Sequence, residues 1–323
     1  MVENQNSHCP ICNSIETKSV LNWGEYSINN CKQCNLVYGN PLPTETFLEK
    51  FYQGFLFNKP NKSEVRRIVE KRKVELNKLF NFQGEDKKFL DYGGGTGSAY
   101  KAACELRLNS YYHDLDKEAE AFVKQEHGLT NEFIIKDMKS TTLTFDYILS
   151  DNVIEHLIDP VNYVREMGAV LKPGGEIIIK TPHGRNTESF FYPIVILNGY
   201  FLKSLKFNSI GKSIKSFFWR FWSCDPPRHI YSFSHVNLRM IAENAGFDAS
   251  EVIIDYYNIP LFKYSFLSMF LDRSKYGSLK AVFMRVLSIP ILPFELATKV
   301  LQYCLLSIRV LSPGGIILKI KKN

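Results

Sequence analysis

The run Asp91-Tyr92-Gly93-Gly94-Gly95-Thr96-Gly97 stands between an apolar strand-like run, Lys88–Tyr92, and a helical stretch, Ser98–Leu106. Glycines at alternate positions let a backbone turn sharply and approach a ligand closely at the edge of a sheet. A loop of this kind on its own is also what a generic turn looks like. Its surroundings narrow the choice. Strand-like runs at Lys88–Tyr92, Ser110–Leu115, Glu132–Lys136, Phe145–Leu149 and Glu176–Thr181 alternate with helical patterns such as Asp116–His127 and Pro160–Leu171. An amphipathic stretch, Ser63–Phe82, precedes them, with Val65, Ile68, Val69, Leu76, Leu79 and Phe80 near one face and Gly84 as its stop. Strand–helix alternation predicts an α/β chain with a doubly wound, Rossmann-like parallel sheet.

Near the start, Cys9-Pro10-Ile11-Cys12 and Cys31-Lys32-Gln33-Cys34 form two CxxC pairs separated by 18 residues. Each pair makes a tight knuckle that turns two thiolates toward one ion, and two knuckles complete the four-sulfur tetrahedron of structural Zn²⁺. Cys9, Cys12, Cys31 and Cys34 are therefore the expected metal ligands, in a zinc ribbon over residues 1–45. Val20–Ile28, with Gly24 at the turn, is read as a hairpin between the knuckles. Four protein ligands leave no open position, so the metal is assigned a structural role. His8 is not needed to complete the site, and Cys104, Cys224 and Cys304 read as ordinary buried thiols.

The order of the later motifs separates two cofactors. A dinucleotide loop reads GxGxxG; here an acid precedes glycines spaced as GxGxG. Leu90-Asp91-Tyr92-Gly93-Gly94-Gly95-Thr96-Gly97 resembles motif I of class I S-adenosylmethionine-dependent methyltransferases. His113-Asp114-Leu115-Asp116 resembles the end of that family's second strand, which implies Asp114 as the ribose-binding acid, with Asp116 in reserve. Ile135-Lys136-Asp137-Met138 is similar to the adenine-contacting acid and its apolar neighbour. Phe145-Asp146-Tyr147-Ile148, Val153-Ile154-Glu155-His156-Leu157 and Leu171-Lys172-Pro173-Gly174-Gly175 resemble the fourth strand, its following loop and the turn before strand five. The resemblance spans roughly residues 85–181 and implies S-adenosylmethionine as cofactor, held by Asp91, Gly93, Gly95, Gly97, Asp114, Asp137 and Met138. It also implies seven strands, with the sixth at Val252–Tyr257 and a last, antiparallel one at Ile316–Lys321. No Asn-Pro-Pro-Tyr-like tetrapeptide follows the fourth strand, where Ser150-Asp151-Asn152-Val153 stands. That argues against methylation of exocyclic base amines in DNA.

Thr181-Pro182-His183, Pro227-Arg228-His229-Ile230-Tyr231-Ser232-Phe233-Ser234 and Ala245-Gly246-Phe247 resemble a subgroup of these enzymes. A four-cysteine ribbon before the core is similar to that of methyltransferases acting on sugars of antibiotics and surface polysaccharides. The implied substrate is a saccharide or glycolipid precursor, nucleotide- or lipid-linked, with methylation at a hydroxyl oxygen favoured over carbon or nitrogen. A hydroxyl acceptor must lose its proton, a task for a histidine. The candidates rank His229, with Tyr231 two residues on, then His183, then His156. Glu155 is read as ordering the cofactor side or capping the next helix, and Arg185 and Arg228 as holding a substrate phosphate.

The domain plan that results is a ribbon (1–45), a linker and helix (46–84), a cofactor-binding core (85–188), and an insertion or lid (189–224). A substrate segment with strand six (225–257), a second insertion (258–312) and the final strand (313–323) follow. Residues 1–188 hold 23 of the 40 Lys and Arg and 26 of the 33 Asp and Glu, so the remainder of the chain is strongly basic. Ser189–Cys224 contains 11 aromatic and five basic residues and no acid, and Asn258–Asn323 carries ten basic residues against Asp272 and Glu295. Aromatics interleaved with cations suit an anionic membrane surface, and suit equally an aromatic lid or a homodimer contact. Stacking on single-stranded nucleic acid is the weakest of these readings. No signal peptide or apolar run of spanning length is evident, and the expectation is a cytoplasmic protein, peripheral on the membrane's inner face if the surface reading holds. Competing readings are an RNA methyltransferase, an enzyme methylating a prenylated small molecule, and a membrane-associated assembly factor that has lost catalysis.

Overall fold

In the computed structural model, the residues described are 8–23, 25–53, 60–82, 84, 86–184, 186–191, 210–214, 223–258 and 292–323. Gly24, Arg185 and most of the two aromatic and basic insertions lie outside them. So do most of the residues on which the lid, membrane and dimer readings rest.

The central sheet is built from near-continuous apolar runs, as expected for strands covered on both faces. It holds β4 (Lys88–Tyr92), β5 (Asn109–His113), β6 (Phe145–Asp151), β7 (Leu171–Pro182), β9 (Val252–Tyr257) and β10 (Gly315–Lys321) in the order β5-β4-β6-β7-β10-β9. β4 pairs in parallel with β5 (Leu90 opposite Tyr111) and with β6 (Leu90 opposite Ile148). β10 runs antiparallel between β7 and β9. Among the described residues the sheet therefore has six strands, one fewer than the seven expected. Glu132–Lys136 does not extend it: Asn131–Phe133 forms a 3-10 turn, and Ile134 contributes a single bridge to Tyr112.

Helices close the layers, and their ends follow the local sequence. α1 (Glu45–Tyr52) is capped by Thr44, and α2 (Lys62–Leu79) opens with a capping box of Asn61 and Glu64. α3 (Ser98–Glu105) starts directly from Gly97. α4 (Lys117–His127) has Asp116 as its N-cap and ends at Gly128, in a left-handed conformation that glycine adopts without strain. α5 (Pro160–Ala169) is capped by Asp159, with Pro160 at its first position. Glu155 is therefore not the cap of this helix, contrary to one of its two expected roles. α6 (His235–Asn244) opens with Ser234 and Asn237, and α7 (Leu292–Ser307) lies in the second expected insertion.

The N-terminal ribbon contributes β1 (Thr17–Trp23), β2 (Tyr26–Cys31) and β3 (Val37–Asn40), the first two forming the expected hairpin. It is not an independent bead. β8 (Tyr231–Ser232), from the Pro-Arg-His segment, pairs onto β3, with Tyr38 opposite Tyr231. Cys9, Cys31, Cys34, Leu36 and Tyr38 share one continuous apolar core with Leu90, Ile148, Ile179, Ile230 and Phe233. Residues expected in two separate modules thus bury each other.

Because the chain passes from β4 outward to β5 and then back across to β6, the order reverses between β4 and β6. In open α/β sheets the crevice beyond the carboxyl ends of strands at such a switch is the ligand site. Here it collects Gly93–Gly97, Asp114 and the Glu155-His156 turn.

Candidate active site

Each glycine of the loop is placed for a different reason. Gly93, Gly95 and Gly97 all have positive φ (77°, 50° and 66°). A side chain on Gly93 would strike Val153, and one on Gly97 would meet Val123 at 2.7 Å. Gly95 has nothing within 4 Å of its would-be Cβ. It faces open space, a cradle that a side chain would fill.

The acids hold the loop's shape. Asp91, buried by the sheet, accepts the Tyr100 N–H at 2.9 Å, and burial pushes its pKa up to about 7. Asp114 accepts from Gly95 N at 2.7 Å and from Asp116 N at 2.8 Å, so one carboxylate ties the loop to the end of β5. Asp116 caps α4 through Glu118 N, which leaves Asp114 as the better fit to ribose hydroxyls. Asp137 is exposed and accepts from Lys139 N at 3.0 Å, whereas Met138 is 4% exposed and packs in the core.

His113 was not anticipated. It immediately precedes Asp114, its ring lies 4.6 Å from Tyr92, and its buried Nδ1 has no hydrogen-bond partner among the described residues. Burial lowers its pKa to about 4. Its position at the strand end was the available signal. With the open face at Gly95 and the carboxylate of Asp114, this orphaned nitrogen fits the adenosyl and ribose groups that the loop resemblance implies.

Beyond β6, three further groups converge. Ligand atoms of Glu155, His156 and His229 all lie within 4.8 Å of one another. The Glu155 carboxyl is 1% exposed; its Oε2 accepts from Thr181 Oγ1 at 2.9 Å, while Oε1 has no hydrogen-bond partner among the described residues. His156 Nδ1 donates to the Arg228 carbonyl at 2.7 Å, which leaves Nε2 as the lone-pair nitrogen, 3.9 Å from Glu155 Oε1. The Tyr52 hydroxyl donates to the same carbonyl and stands 3.0 Å from His156 Nδ1. His229 packs its ring 4.9 Å from His156; its Nδ1 is buried, unbonded among the described residues, and 3.4 Å from Asp225 Oδ1. Burial raises Glu155 to about 8, lowers His156 to about 4 and holds His229 well below its usual value, so both imidazoles are neutral near pH 7.

The other expected residues are placed elsewhere. His183 donates from Nδ1 to the Pro313 carbonyl at 3.0 Å and lies against Tyr256, on the β10 side of the sheet. Tyr231 is fully buried, its hydroxyl donating to the Ile158 carbonyl at 2.8 Å; it supports the core rather than facing the histidines. Arg228 forms a bidentate pair with Asp225, at 3.0 and 2.9 Å from NH2, so its guanidinium is already engaged and not held ready for a phosphate. Sequence reasoning missed Tyr52 altogether, since nothing marks a helix in the linker as reaching this edge. A surface cleft lined by Arg66, Glu70, Lys101 and Glu105 lies on the α2–α3 flank and holds none of these groups.

The four cysteines converge as their spacing implies. Cys9 and Cys34 Sγ atoms are 3.6 Å apart, Cys12 and Cys31 3.5 Å, and all four lie within 4.8 Å. A Zn–S bond of about 2.3 Å sets tetrahedral sulfurs roughly 3.8 Å apart, so the set fits a structural zinc ion.

The fold and the loop define a methyltransferase domain of the Rossmann-like type that uses S-adenosylmethionine. Comparison with known families agrees: the "Methyltransferase domain" family model matches residues 65–252, more than half of the chain, and the chain belongs to this family. Over 117 residues it is 27% identical to a ubiquinone biosynthesis O-methyltransferase of Aliivibrio fischeri, covering 34% of this chain and 49% of that protein. With its counterpart from Parvibaculum lavamentivorans it shares 29% over 103 residues, 30% of this chain and 41% of the other. The chain thus spans about half the length, or less, of these curated relatives. Among solved structures it is similar to phosphoethanolamine N-methyltransferase 2 of Haemonchus contortus with S-adenosyl-L-methionine (16% identity, TM-score 0.49, 88% of this chain and 61% of that one). A methyltransferase of Archaeoglobus fulgidus is another such neighbour (17%, TM-score 0.45, 79% and 94%). Among the described residues no helix is long and apolar enough to cross a membrane.

Proposed function

We propose that this protein transfers the methyl group of S-adenosylmethionine to a hydroxyl oxygen of a sugar in a nucleotide- or lipid-linked saccharide. The observation that carries the hydroxyl reading is the Glu155–His156–His229 cluster next to the crevice, in which the His156 Nε2 lone pair faces Glu155 Oε1 at 3.9 Å while the His229 Nε2 lone pair accepts from Arg228 NH1. An amine acceptor attacks with its own lone pair, whereas a hydroxyl must lose a proton during transfer.

Gly93–Gly97 and Asp114 hold the cofactor, and S-adenosylmethionine supplies an electrophilic methyl when bound. Val153 abuts Gly93, so the Glu155 turn begins against the cofactor loop itself. An acceptor hydroxyl held between that loop and the cluster would face the methyl, and its proton would leave toward the cluster. The end of α1 borders this space: Tyr52 reaches His156, and the following Gln53 donates to the Leu115 carbonyl beside Asp114. The saccharide class is supported by the ribbon and the Pro-Arg-His segment, which β8 joins into one unit.

A second reading is favoured by the named relatives: a phenolic hydroxyl on a prenylated small molecule. Incubating the zinc-loaded protein with methyl-labelled S-adenosylmethionine and separate panels of sugar nucleotides, lipid-linked glycans and prenylated catechols distinguishes them. Label in a saccharide fraction is the expected result. Label only in the catechol panel would replace the sugar, and none in any panel would count against both.

A further inference from the structure

We propose that the outward face of α7 seats this protein on a bilayer surface containing anionic phospholipid, and that the acceptor saccharide is the lipid-linked one. The second clause rests on the saccharide reading above; the docking does not.

α7 is built inside out. A helix on the surface of a globular protein buries its apolar stripe and shows its polar side to water. Here the buried stripe is polar: Glu295, Lys299 and Gln302, spaced i, i+4 and i+7, with Gln302 0% exposed. Its partners are internal. Lys299 Nζ donates to the Phe191 carbonyl at 2.8 Å and to Gln302 Oε1 at 3.1 Å. Gln302 Nε2 donates to Glu188 Oε1 at 3.2 Å, and Glu188 Oε2 accepts from Gly314 N at 2.6 Å. The other side of the helix carries Phe294, Leu296, Val300, Leu301 and Tyr303, all exposed, Phe294 to 73%. The only charged residues of α7, Glu295 and Lys299, are the buried ones. The bonded polar stripe fixes which side faces inward, and contact with hydrocarbon removes the cost of leaving the apolar side in water.

Length and charge identify the occupant. The 16 residues of α7 span about 24 Å at 1.5 Å per residue, short of the roughly 30 Å of a hydrocarbon core, so the helix lies along the headgroup region. Residues 258–323 carry ten Lys and Arg against two acids, and of those acids Glu295 is buried. Just past the helix, Arg309 is exposed between the exposed Ile308 and Val310. Apolar side chains accompanied by cations match hydrocarbon beneath anionic headgroups. A second copy of the chain matches less well, because a two-fold contact sets the same excess of cations against itself.

The position of α7 favours a lipid-linked acceptor. β7 ends at Pro182 and β10 begins opposite it at Gly315. Glu188 and Gly314, to which α7 is anchored, therefore lie just past the carboxyl edge of β7, the edge on which the crevice opens. A protein resting on α7 brings this edge to the headgroups, where a lipid-linked saccharide presents its sugar.

The test is co-sedimentation of the zinc-loaded, full-length protein with vesicles of phosphatidylcholine, alone or with about one-third phosphatidylglycerol. Sedimentation with the anionic vesicles is expected, and binding at least tenfold weaker to phosphatidylcholine alone or in about 1 M salt. Val300→Glu combined with Leu301→Glu should weaken vesicle binding at least tenfold and leave S-adenosylmethionine affinity unchanged. If that pair fails to fold, Phe294→Glu carries the test. No sedimentation with either vesicle, or binding undiminished in a folded variant, overturns the docking. So does a dimer in sedimentation equilibrium that the same substitutions dissolve, since it assigns the face to a second copy. Methyl transfer is measured separately. Transfer to sugar nucleotides without vesicle binding leaves the saccharide reading standing and overturns the docking; vesicle binding without transfer to any saccharide overturns that reading and leaves the docking.

Discussion

Asn237, buried at the start of α6, donates its side-chain Nδ2 to the carbonyl oxygen of Cys34 at 2.8 Å. One hydrogen bond thus joins a metal-knuckle residue to the helix that follows the Pro-Arg-His segment, 203 positions away in the chain. Asn244 makes a second such contact, to the Ile11 carbonyl at 3.1 Å. The ribbon is therefore part of the frame that holds His229.

Breaking this joint should destabilise the whole protein. Asn237→Ala removes the hydrogen bond to the Cys34 carbonyl and Asn237's half of the α6 capping box, while the Ser234 cap on the Asn237 N–H stays, a loss of about 1–3 kcal/mol and a fall of a few degrees in Tm. Stripping the zinc with a chelator should lower the same single transition. Thermal unfolding followed by circular dichroism checks both; a separate early ribbon transition that leaves the main one unmoved would contradict the shared core.

The loop glycines should separate by function. Gly93→Ala drives a methyl into Val153 and should cost well over 2 kcal/mol, since both packing and φ oppose it. Gly95→Ala meets open space, so its stability cost is confined to about 1–2 kcal/mol of backbone strain. Its methyl nevertheless occupies the cradle, and S-adenosylmethionine affinity should fall at least tenfold. Denaturant melts paired with calorimetric titration of the two variants test the contrast.

Much of this arrangement was legible beforehand because it depends on local residue chemistry. The Asp91–Gly97 turn, the Asp114 strand end and the cysteine knuckles are each specified by a few neighbouring residues, and all appear where spacing places them. The edge strand at Glu132–Lys136 fails for a physical reason: Pro and Gly do not bound it, and Thr130 to Phe133 close a 3-10 turn that consumes its start. Tyr52 and Asp225 were invisible, because their partners are far away in sequence. Tyr231 was misjudged by proximity. Two positions from His229 on an extended segment it points into the core, and its hydroxyl finds Ile158.

Acid stability should report on His113. Its pKa falls from 6.5 to about 4 on folding, mainly through burial, with Asp137 and Glu120 opposing that shift and Lys136 adding to it. The unfolded chain then binds the extra proton between these values, so this contribution is present above pH 6.5 and is lost as pH falls toward 4. At 1.36 kcal/mol per unit the effect is about 3 kcal/mol at most. His113→Gln should flatten the slope of unfolding free energy against pH across this window by up to one proton. An unchanged slope in urea melts at pH 4.5, 5.5 and 6.5 would show that His113 is not buried neutral.

Tyr52→Phe should leave cofactor binding intact and lower the rate of transfer. It removes one of the two oxygens around His156 Nδ1, so the imidazole loses part of its orientation while the cofactor loop is untouched. A fall in kcat of about 5- to 50-fold with an unchanged Kd for S-adenosylmethionine is expected, from the loss of a hydrogen bond worth about 1–2 kcal/mol. A change in Kd alone would place Tyr52 on the cofactor instead.

The central claim is that the crevice between β4 and β6 holds S-adenosylmethionine through Asp114, and titration calorimetry on the zinc-loaded protein tests it most directly. The account predicts one S-adenosylmethionine per chain and binding at least tenfold weaker in Asp114→Ala, as two charge-assisted hydrogen bonds to ribose are lost. Circular dichroism is the check that the variant is folded. No binding by the folded wild type, or equal binding by the two proteins, would contradict the account.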